Sequence, residues 1–342
     1  MSSNCTPPVG YRLPQSRKKS ERLRVMPAAK GVMDWSGLTV GVTGGAGFIG
    51  SHLVDSLVDC GATVVVLDNF SSGKADQVPS SVRLVSGSVA DSTARSEALS
   101  GCDAIFHIAA IASVVACEED PEKSASVNRE ASLAILAEAS CPVVFASSAA
   151  IYGNPQQLPV SESHPIEPLS HYGADKAAAD AAICSLGDSA PPAVAMRFFN
   201  VYGPRQDPSS PYSGVLSIFT TRAITGEPVT IFGDGLQTRD FIHVTDVVDA
   251  LVQSAESLLV EGTMSPLHSR AFNVCTGRPV TLLDVVSAIE SNTGKMMQVT
   301  HEPTRAGDIR DSEGDPSALK EILAWNPQVE LEQGLADLLN AL

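Results

Sequence analysis

Short apolar runs alternate with helical patterns between residue 38 and about residue 198. The runs are rich in branched apolar residues and bounded by glycine and polar positions, which is typical of buried strands. They lie at residues 38–43, 63–67, 82–85, 104–107 and 143–146. Strands that alternate with helices predict a parallel sheet covered by helices. With right-handed crossovers, the pattern predicts an α/β fold with a doubly wound parallel sheet.

The rest of the chain shows a smaller set of elements. Helical patterns at residues 215–225 and 244–257 flank a short strand at residues 229–232. Thr281 and Asp284 predict a capped helix start, with Asp in place of the commoner Glu. An amphipathic pattern at residues 331–339 predicts a last helix. We expect a smaller C-terminal α/β region beside the sheet.

The composition is typical of a globular protein without a membrane span. Hydrophobic residues occupy 44% of the 342 positions, with no run of eighteen apolar residues. The net charge of −16 argues against nucleic acid as a partner. An anionic small ligand remains compatible with this charge, because a few placed arginines can dominate the local field.

The first 34 residues differ from the rest in charge. They hold seven Lys/Arg against Glu21 and Asp34, a net of +5, which leaves −21 for the remainder. They lack the apolar stretch of a secretory signal and predict a basic, disordered extension. The seven cysteines show no Cys-x-x-Cys spacing, and the seven histidines show no metal-ligand spacing. We expect reduced thiols, a cytoplasmic location and no metal site.

A glycine run follows the first predicted strand and opens the first helix. Gly44 allows a tight turn, Gly47 lets a pyrophosphate approach backbone N–H groups, and Gly50 permits close helix–strand packing. Asp68 ends the second strand, 24 residues after Gly44. A carboxylate there accepts hydrogen bonds from an adenosine ribose and repels a 2′-phosphate. This context predicts dinucleotide binding, with NAD favoured over NADP.

A tyrosine and a lysine lie four residues apart in a predicted helix. Tyr172 and Lys176 share one helix face, and Ser148 follows the fifth strand. A cation near the phenol favours the phenolate, which would make Tyr172 a base near neutral pH. The Ser148 hydroxyl could hold a substrate oxygen between them. This spacing by itself is also compatible with two ordinary surface side chains.

With these motifs the chain resembles the extended short-chain dehydrogenase/reductase family, and within it the nucleotide-sugar 4-epimerases. The resemblance covers residues from about 38 to the C-terminus. Further matching segments are residues 106–110, 197–205, 232–235, 238–244 and 305–308. Several matches in one order are more specific than any single motif.

The resemblance implies a role for each matching position. On the NAD side, Phe48 and Ile49 would contact the pyrophosphate, Asp68 and Asn69 the adenosine ribose, and Ala109 and Ala110 the far half of the cofactor. Asn128, Ser148 and Phe199 would line the nicotinamide side. On the substrate side, Asn200 would hold the diphosphate, Arg239 would pair with phosphate, and Arg305 and Asp308 would bind the uridine ribose and its surroundings. Guanidinium groups suit phosphate oxygens, although each arginine could also be a surface charge.

Two segments depart from the family pattern. Gly87 is followed by Ser88 and Val89 where the family usually has aspartate, so adenine contact through Ser88 is expected to be weaker, with a main-chain contact at Val89 retained. The loop at residues 206–215 looks like the variant found in enzymes that also accept N-acetylated sugars.

The implied reaction is NAD-dependent 4-epimerisation of UDP-hexoses through a 4-keto sugar. Tyr172 would take the proton of the 4-hydroxyl, Lys176 would lower the tyrosine pKa and hold the nicotinamide ribose, and Ser148 would support the sugar oxygen. Related dehydratases and decarboxylases carry acidic residues next to this serine. Ala149 and Ala150 stand there in this chain, which favours simple re-reduction of the ketone.

The resemblance also indicates which sugar is accepted, with several alternatives left open. Ser312 occupies the position of a gate behind the sugar and leaves space for a 2-acetamido group. UDP-glucose and UDP-galactose are expected, with UDP-GlcNAc and UDP-GalNAc tolerated or preferred. UDP-glucuronate is an alternative, since Arg310 or a loop serine could meet its carboxylate. A reductase and a non-catalytic NAD-binding module are further alternatives.

The resemblance also implies a homodimer. Its interface would be a bundle of the two helices near residues 122–140 and 172–186 from each subunit. We divide the chain into the N-terminal extension (1–34), an NAD-binding Rossmann domain (35–200), and a region (201–342) that is mainly nucleotide-sugar-binding and interleaved with the Rossmann sheet.

Overall fold

A seven-stranded parallel sheet forms the centre of the computed structural model, which describes residues 33–207, 214–304 and 308–342. The strands in chain order are β1 (Thr39–Thr43), β2 (Thr63–Asp68), β3 (Arg83–Ser86), β4 (Ala104–His107), β5 (Val143–Ser148), β6 (Ala193–Phe198), β7 (Asn200–Tyr202), β8 (Val229–Phe232), β9 (Thr238–Arg239), β10 (Phe241–His243), β11 (Arg270–Val274), β12 (Val280–Thr281) and β13 (Val299–Glu302). The predicted starts and ends of the first five strands lie within two residues of these bounds.

The strand order of the central sheet is β11-β6-β5-β4-β1-β2-β3, and each adjacent pair is parallel. The chain winds outward from β1 in both directions, which confirms the predicted doubly wound α/β fold. The carboxyl ends of β1, β4 and β5 therefore meet at one edge, where ligands bind in such sheets. Strand β11 comes from the C-terminal region and completes the far edge beside β6.

Helices cover both faces of the sheet. They are α1 (Phe48–Asp59), α2 (Ser92–Leu99), α3 (Val114–Glu119), α4 (Pro121–Ser124), α5 (Ala131–Glu138), α6 (His171–Cys184), α7 (Val215–Thr225), α8 (Val244–Glu261), α9 (Leu282–Thr293), α10 (Ser317–Leu323) and α11 (Leu331–Ala341). Short 3₁₀ turns lie at Ala75–Gln77, Ala149–Tyr152 and Gly262–Met264. Within the described ranges, no helix is both long and apolar enough to cross a membrane.

The C-terminal region builds a second, smaller core. Its short strands pair as β10 with β7, β12 with β9, and β13 with β8. Apolar side chains of α7, α9 and α11 pack together over these strands. The predicted helix cap is confirmed: Thr281 Oγ1 accepts from Asp284 N at 3.0 Å, and Asp284 Oδ2 accepts from Thr281 N at 3.0 Å.

The predicted helix near residues 122–140 is interrupted. It consists of α4, a π-helical stretch at Ala125–Glu130, and α5. A π-turn inserts one extra residue per turn and is found most often at functional sites. Here it carries Asn128, which faces the loop after β4.

Candidate active site

The glycine loop brings backbone segments into close contact. Gly44 has a φ of +71°, and a Cβ placed there would lie 2.8 Å from the N and Cα of Ala109. A Cβ on Gly50 would lie 2.1 Å from the carbonyl oxygen of Gly44. Both glycines therefore allow an approach that no other residue permits. The tight turn and close packing expected from the sequence are present.

The start of α1 offers free backbone donors beside this loop. Gly47 is its N-cap residue, and no side chain of the described chain caps it. The first N–H groups of such a helix lack intrahelical partners and carry partial positive charge. Phe48 and Ile49 occupy the first two helical positions. This end of the helix fits a pyrophosphate, as the glycine spacing predicted.

Asp68 is a structural part of the same loop. Its carboxyl is 7% exposed, and it accepts from Ala46 N at 2.9 Å and from Phe70 N at 2.8 Å. Each carboxylate oxygen retains a free lone pair that could accept from a ribose hydroxyl. Asn69 is exposed, and its Oδ1 accepts from Ser71 N at 3.0 Å. The sequence predicted that Asp68 binds the ribose. It did not predict the hydrogen bonds by which Asp68 fixes the glycine loop at Ala46 and the backbone at Phe70.

The departure after β3 has a local explanation. Ser88 Oγ accepts from Ala90 N at 3.1 Å and closes the turn, while Asp91 caps α2 through Thr93 N at 2.8 Å. Val89 is buried, and its carbonyl accepts from the Arg95 guanidinium at 2.8 Å. The Ser88 hydroxyl is thus engaged in the turn, and the carboxylate of Asp91, four residues after Gly87, caps α2.

A buried hydrogen-bond chain fixes the end of β4. Thr43 Oγ1 accepts from Ala109 N at 3.2 Å and lies 2.7 Å from His107 Nδ1, while His107 Nε2 lies 2.8 Å from Ser132 Oγ. These contacts are satisfied by a neutral imidazole with its proton on Nε2. Burial lowers the pKa of His107 from 6.5 to about 3, so the ring stays uncharged.

His107 is expected to make folding sensitive to acid. The folded pKa lies below the unfolded value, so stability is lost as the pH falls from 6.5 towards 3, by about 1.4 kcal/mol per pH unit from this group. Urea unfolding of a His107→Gln variant should therefore show a weaker dependence of the unfolding free energy on pH. The exposed His301 provides the control, since His301→Gln should leave that dependence unchanged.

Asn128 was predicted to line the nicotinamide side, but its side chain faces the protein interior. It has no exposed surface, and its amide exchanges two hydrogen bonds with Ile111: Oδ1 accepts from the N–H at 2.8 Å and Nδ2 donates to the carbonyl at 3.1 Å. These bonds hold the loop that contains Ala109 and Ala110. In this structure Asn128 therefore contacts this loop at Ile111.

Lys176 lies one helical turn after Tyr172 on α6, as predicted. Its side chain is 2% exposed, and Nζ donates to the carbonyl of Ala146 at 2.7 Å. The ammonium also lies 4.7 Å from the centre of the Phe145 ring, a cation–π contact. Burial lowers the pKa of Lys176 from 10.5 to about 7. The amine is therefore only partly charged near neutral pH.

The structure places the Tyr172 phenol against Ser148. Burial raises the pKa of Tyr172 above its ordinary value, and the hydrogen bond from Ser148 acts in the opposite direction. The lowering of this pKa by Lys176 stays a prediction. Burial is the largest influence on the pKa of this phenol, and a positive charge bound beside it would favour the phenolate.

A third residue of α6 continues the same helix face. Asp180 follows Tyr172 by eight residues, is fully buried, and forms a bidentate ion pair with Arg197 at 2.7 and 3.0 Å. Asp180 Oδ2 also accepts from Ser147 Oγ at 2.7 Å. Three consecutive turns thus contact β5 at Ser148, Ala146 and Ser147. The spacing 172, 176 and 180 was visible in the sequence, but Asp180 was not selected.

A cavity opens beside Ser148 at the carboxyl end of β5. Its volume is about 210 Å³, below the range of about 300–1,000 Å³ for pockets that take whole drug-sized ligands. It therefore suits a single sugar ring. It is lined by Ser148, Ala149, Ala150, Tyr152, Gly153, Pro155, Val160, Phe198, Phe199, Asn200, Ile309 and Ser312. The predicted Phe199, Asn200 and Ser312 thus line the same cavity as Ser148.

The predicted nucleotide residues are partly paired with one another. Arg239 donates to Asp308 at 2.5 Å and to the carbonyl of Thr238 at 2.7 Å. Arg310 forms a bidentate ion pair with Asp234 at 2.7 and 3.0 Å. Arg305 and most of the loop at residues 206–215 lie outside the described residues, as does nearly all of the N-terminal extension.

Comparisons with known proteins agree with this geometry. The model of the NAD dependent epimerase/dehydratase family matches residues 40–274. The chain is 37% identical over 315 residues to a UDP-glucose 4-epimerase of Mycolicibacterium smegmatis, covering 86% of this chain and 95% of that protein. It is 33% identical over 308 residues to UDP-glucuronic acid decarboxylase 2 of Arabidopsis thaliana, covering 87% and 67%.

A solved structure also matches over most of its length. The UDP-glucose 4-epimerase of Thermotoga maritima with UDP-glucose superposes with a TM-score of 0.82 at 35% sequence identity, covering 89% of this chain and 98% of that one. The family match spans the glycine loop, α6 and the cavity wall formed by β5 and β6.

Proposed function

The chain belongs to the NAD dependent epimerase/dehydratase family, as its motifs predicted, and we propose that it is a 4-epimerase of UDP-hexoses. The observation that carries the proposal is the sugar-sized cavity between Ser148 and Ser312. The Tyr172 phenol is in contact with Ser148, and the buried Lys176 donates to Ala146, two residues before Ser148 on β5. Two methyl groups, of Ala149 and Ala150, complete the same wall.

The chain has a cradle that fits NAD. The donors at the start of α1 would hold the pyrophosphate, Asp68 the adenosine ribose, and Ala109 and Ala110 the far half of the cofactor. A Cβ at Gly44 would fill the space where backbone segments meet. When bound, NAD supplies reversible hydride acceptance and the positive charge of its nicotinamide.

Tyr172 is the group that moves the proton of the sugar 4-hydroxyl. Its hydroxyl lies against that of Ser148, which lines the cavity, so one hydroxyl could exchange the proton while the other holds the oxygen as alcohol becomes ketone. The carbonyl of Ala146 orients Lys176 at 2.7 Å. Lys176 then lies behind the phenol, where it can bind the nicotinamide ribose.

The fate of the ketone depends on neighbouring side chains. Elimination or decarboxylation calls on acidic groups beside the serine, and Ala149 and Ala150 offer no proton donor or acceptor. This favours return of the hydride on the other face of the sugar over the reaction named for the decarboxylase relative. For UDP-glucuronate, Arg310 would have to exchange its exposed ion pair with Asp234 for the sugar carboxylate.

The cavity wall bears on the choice of sugar. Ser312 is buried and lines the cavity with a small side chain. This supports acceptance of UDP-GlcNAc and UDP-GalNAc beside UDP-glucose and UDP-galactose. On the nucleotide side, Arg239 would exchange part of its pairing with Asp308 for phosphate oxygens. The homodimer stays a prediction.

Incubation of the purified protein with UDP-galactose or UDP-GalNAc should give the corresponding 4-epimers. Ion-pair chromatography of the products separates the two members of each pair. Catalytic amounts of protein should convert many equivalents without net change in nicotinamide redox state, because the hydride is returned in every turnover. Formation of a pentose product, or no 4-epimer from any UDP-hexose, would contradict the proposal.

A further inference from the structure

Asp240 is a fully buried carboxylate that lies next to the predicted phosphate-binding Arg239. Oδ1 accepts from Thr276 N at 2.9 Å and from Thr276 Oγ1 at 2.6 Å. Oδ2 accepts from Gly277 N at 2.9 Å and from Gly314 N at 3.2 Å. Four donors from two distant segments therefore converge on one side chain.

The Ser312–Gly314 segment forms part of the sugar cavity wall, and the Thr276–Gly277 segment packs against it, since a Cβ on Gly277 would lie 3.5 Å from the Gly314 carbonyl oxygen. Gly314 comes two residues after Ser312 and forms an isolated parallel bridge with Val160, and both Ser312 and Val160 line the cavity. A Cβ on Gly314 would lie 2.5 Å from Cys275 Sγ and 2.6 Å from the Phe199 ring. A small shift of Gly314 would therefore move the wall that faces the sugar.

The main chain of Asp240 contacts the strand that carries Asn200, the residue predicted to hold the diphosphate. The carbonyl of Asp240 accepts from Asn200 N at 3.1 Å, within the register that pairs β7 with β10. One residue thus connects the strand of Asn200, the phosphate-side Arg239 and the sugar-facing wall. No lysine or arginine of the described residues forms an ion pair with Asp240. Its charge is balanced by N–H and O–H donors, whose hydrogen bonds depend strongly on geometry.

We propose that Asp240 is a positioning residue that holds the Thr276–Gly277 and Ser312–Gly314 segments in place around the sugar. This inference rests on the proposed epimerase function. The sugar must turn within the cavity between losing and regaining its hydride. A wall held at fixed distance leaves room for that rotation while retaining the ketone, and a loosened wall lets the ketone escape with the hydride left on the cofactor as NADH.

Two variants and a matched control test the proposal. Asp240→Asn keeps the shape and the main-chain bond to Asn200 but replaces one acceptor oxygen by a donor. Thr276→Val removes one hydroxyl donor and keeps the backbone N–H, so it tests the same contact if Asp240→Asn folds poorly. Asp246→Asn is the control, because Asp246 is a buried carboxylate (4% exposed) that accepts two backbone N–H groups, of Gln328 and Val329.

The expected result is a slower reaction and a change in partition, meaning the ratio of ketone released with NADH formed to ketone reduced again to the 4-epimer. Asp240→Asn should lower kcat with UDP-galactose by about 10- to 100-fold, as a misplacement near 1 Å can do. The amount of NADH formed per epimerisation event should rise by at least about tenfold, with Thr276→Val between this variant and the wild type. The affinity of Asp240→Asn for UDP, measured by calorimetry, should stay within about twofold of the wild-type value. The ratio of its affinity for UDP-galactose to its affinity for UDP should fall. Asp246→Asn should lower Tm and leave the partition unchanged.

Two outcomes would overturn the proposal. One is an Asp240→Asn variant with lower Tm but with wild-type kcat, NADH yield and sugar-dependent affinity. The other is an Asp246→Asn variant with the same increase in NADH yield as Asp240→Asn, which would indicate a general loss of stability. Failure of the proposed function looks different, because the wild type itself would then form no 4-epimer. Even then the affinity for UDP-galactose tests the role of Asp240. If wild type and Asp240→Asn bound UDP-galactose equally well, Asp240 would not position the wall around the sugar.

Discussion

Replacing Tyr172 by phenylalanine is expected to lower kcat by about 10²- to 10⁴-fold, the usual contribution of a positioned acid–base group. In the proposed mechanism the phenol exchanges a proton with the sugar hydroxyl, and its hydrogen-bond partner Ser148 lines the cavity. Phenylalanine keeps the ring and its packing on α6. The loss should therefore appear in turnover with both UDP-galactose and UDP-GalNAc, with little change in the affinity for UDP.

A second tyrosine provides the control for this variant. Tyr202 is buried in the C-terminal core, where its ring meets Phe241 edge to face. Tyr202→Phe removes the same hydroxyl from a site outside the cavity and should leave kcat near the wild-type value. Both variants should be compared by Tm and by calorimetric titration with UDP. Unchanged turnover of Tyr172→Phe would refute the mechanism, whatever the substrate.

The second large effect is expected for Gly50→Ala. The added Cβ would lie 2.1 Å from the Gly44 carbonyl oxygen, so the backbone of α1 or of the glycine loop has to move. Overpacking of this kind costs about 1–3 kcal/mol, which corresponds to about 5- to 150-fold in cofactor affinity if the loop takes the strain. Calorimetric titration of cofactor-free protein with NAD measures the loss of cofactor affinity directly. A lower Tm measures the part of the cost that appears as lost folding stability.

Gly187→Ala is the matched control for this substitution. No heavy atom lies within 4 Å of a Cβ placed at Gly187, so the same chemical change meets open space there. Its affinity for NAD and its Tm should match the wild type. Wild-type affinity in Gly50→Ala would mean that the close approach of α1 to the loop is unimportant for cofactor binding.

The fold was predictable because its signals are local. Branched apolar runs, the Gly44–Gly50 spacing and the Thr281 cap each depend on neighbours within a few residues. The family follows from several such motifs in one order, and it is confirmed by the match over residues 40–274. Phe199, Asn200 and Ser312 line the cavity beside Ser148, and their roles there stay predictions.

The electrostatic details of the site were not predictable in the same way. The pKa of Tyr172 depends on how deeply the phenol and Lys176 are buried, which sequence spacing does not record. The pairing of Arg239 with Asp308 joins residues 69 positions apart. Asn128 carries the predicted type of side chain, but the π-turn directs it inward to Ile111. In each case tertiary contacts decide the role.

Strand β11 has a consequence for how the molecule is made. Residues 270–274 supply the edge strand beside β6, and β6 lies next to the strand that carries Ser148. During synthesis the first 200 residues emerge with β6 as an open edge, a site where other chains can pair. About 70 further residues must therefore be synthesised before β11 can pair with β6. Synthesis proceeds at about 5–20 residues per second, so the edge stays open for several seconds. Assistance from chaperones during those seconds would protect the open edge of β6, beside the strand of Ser148, from pairing with another chain.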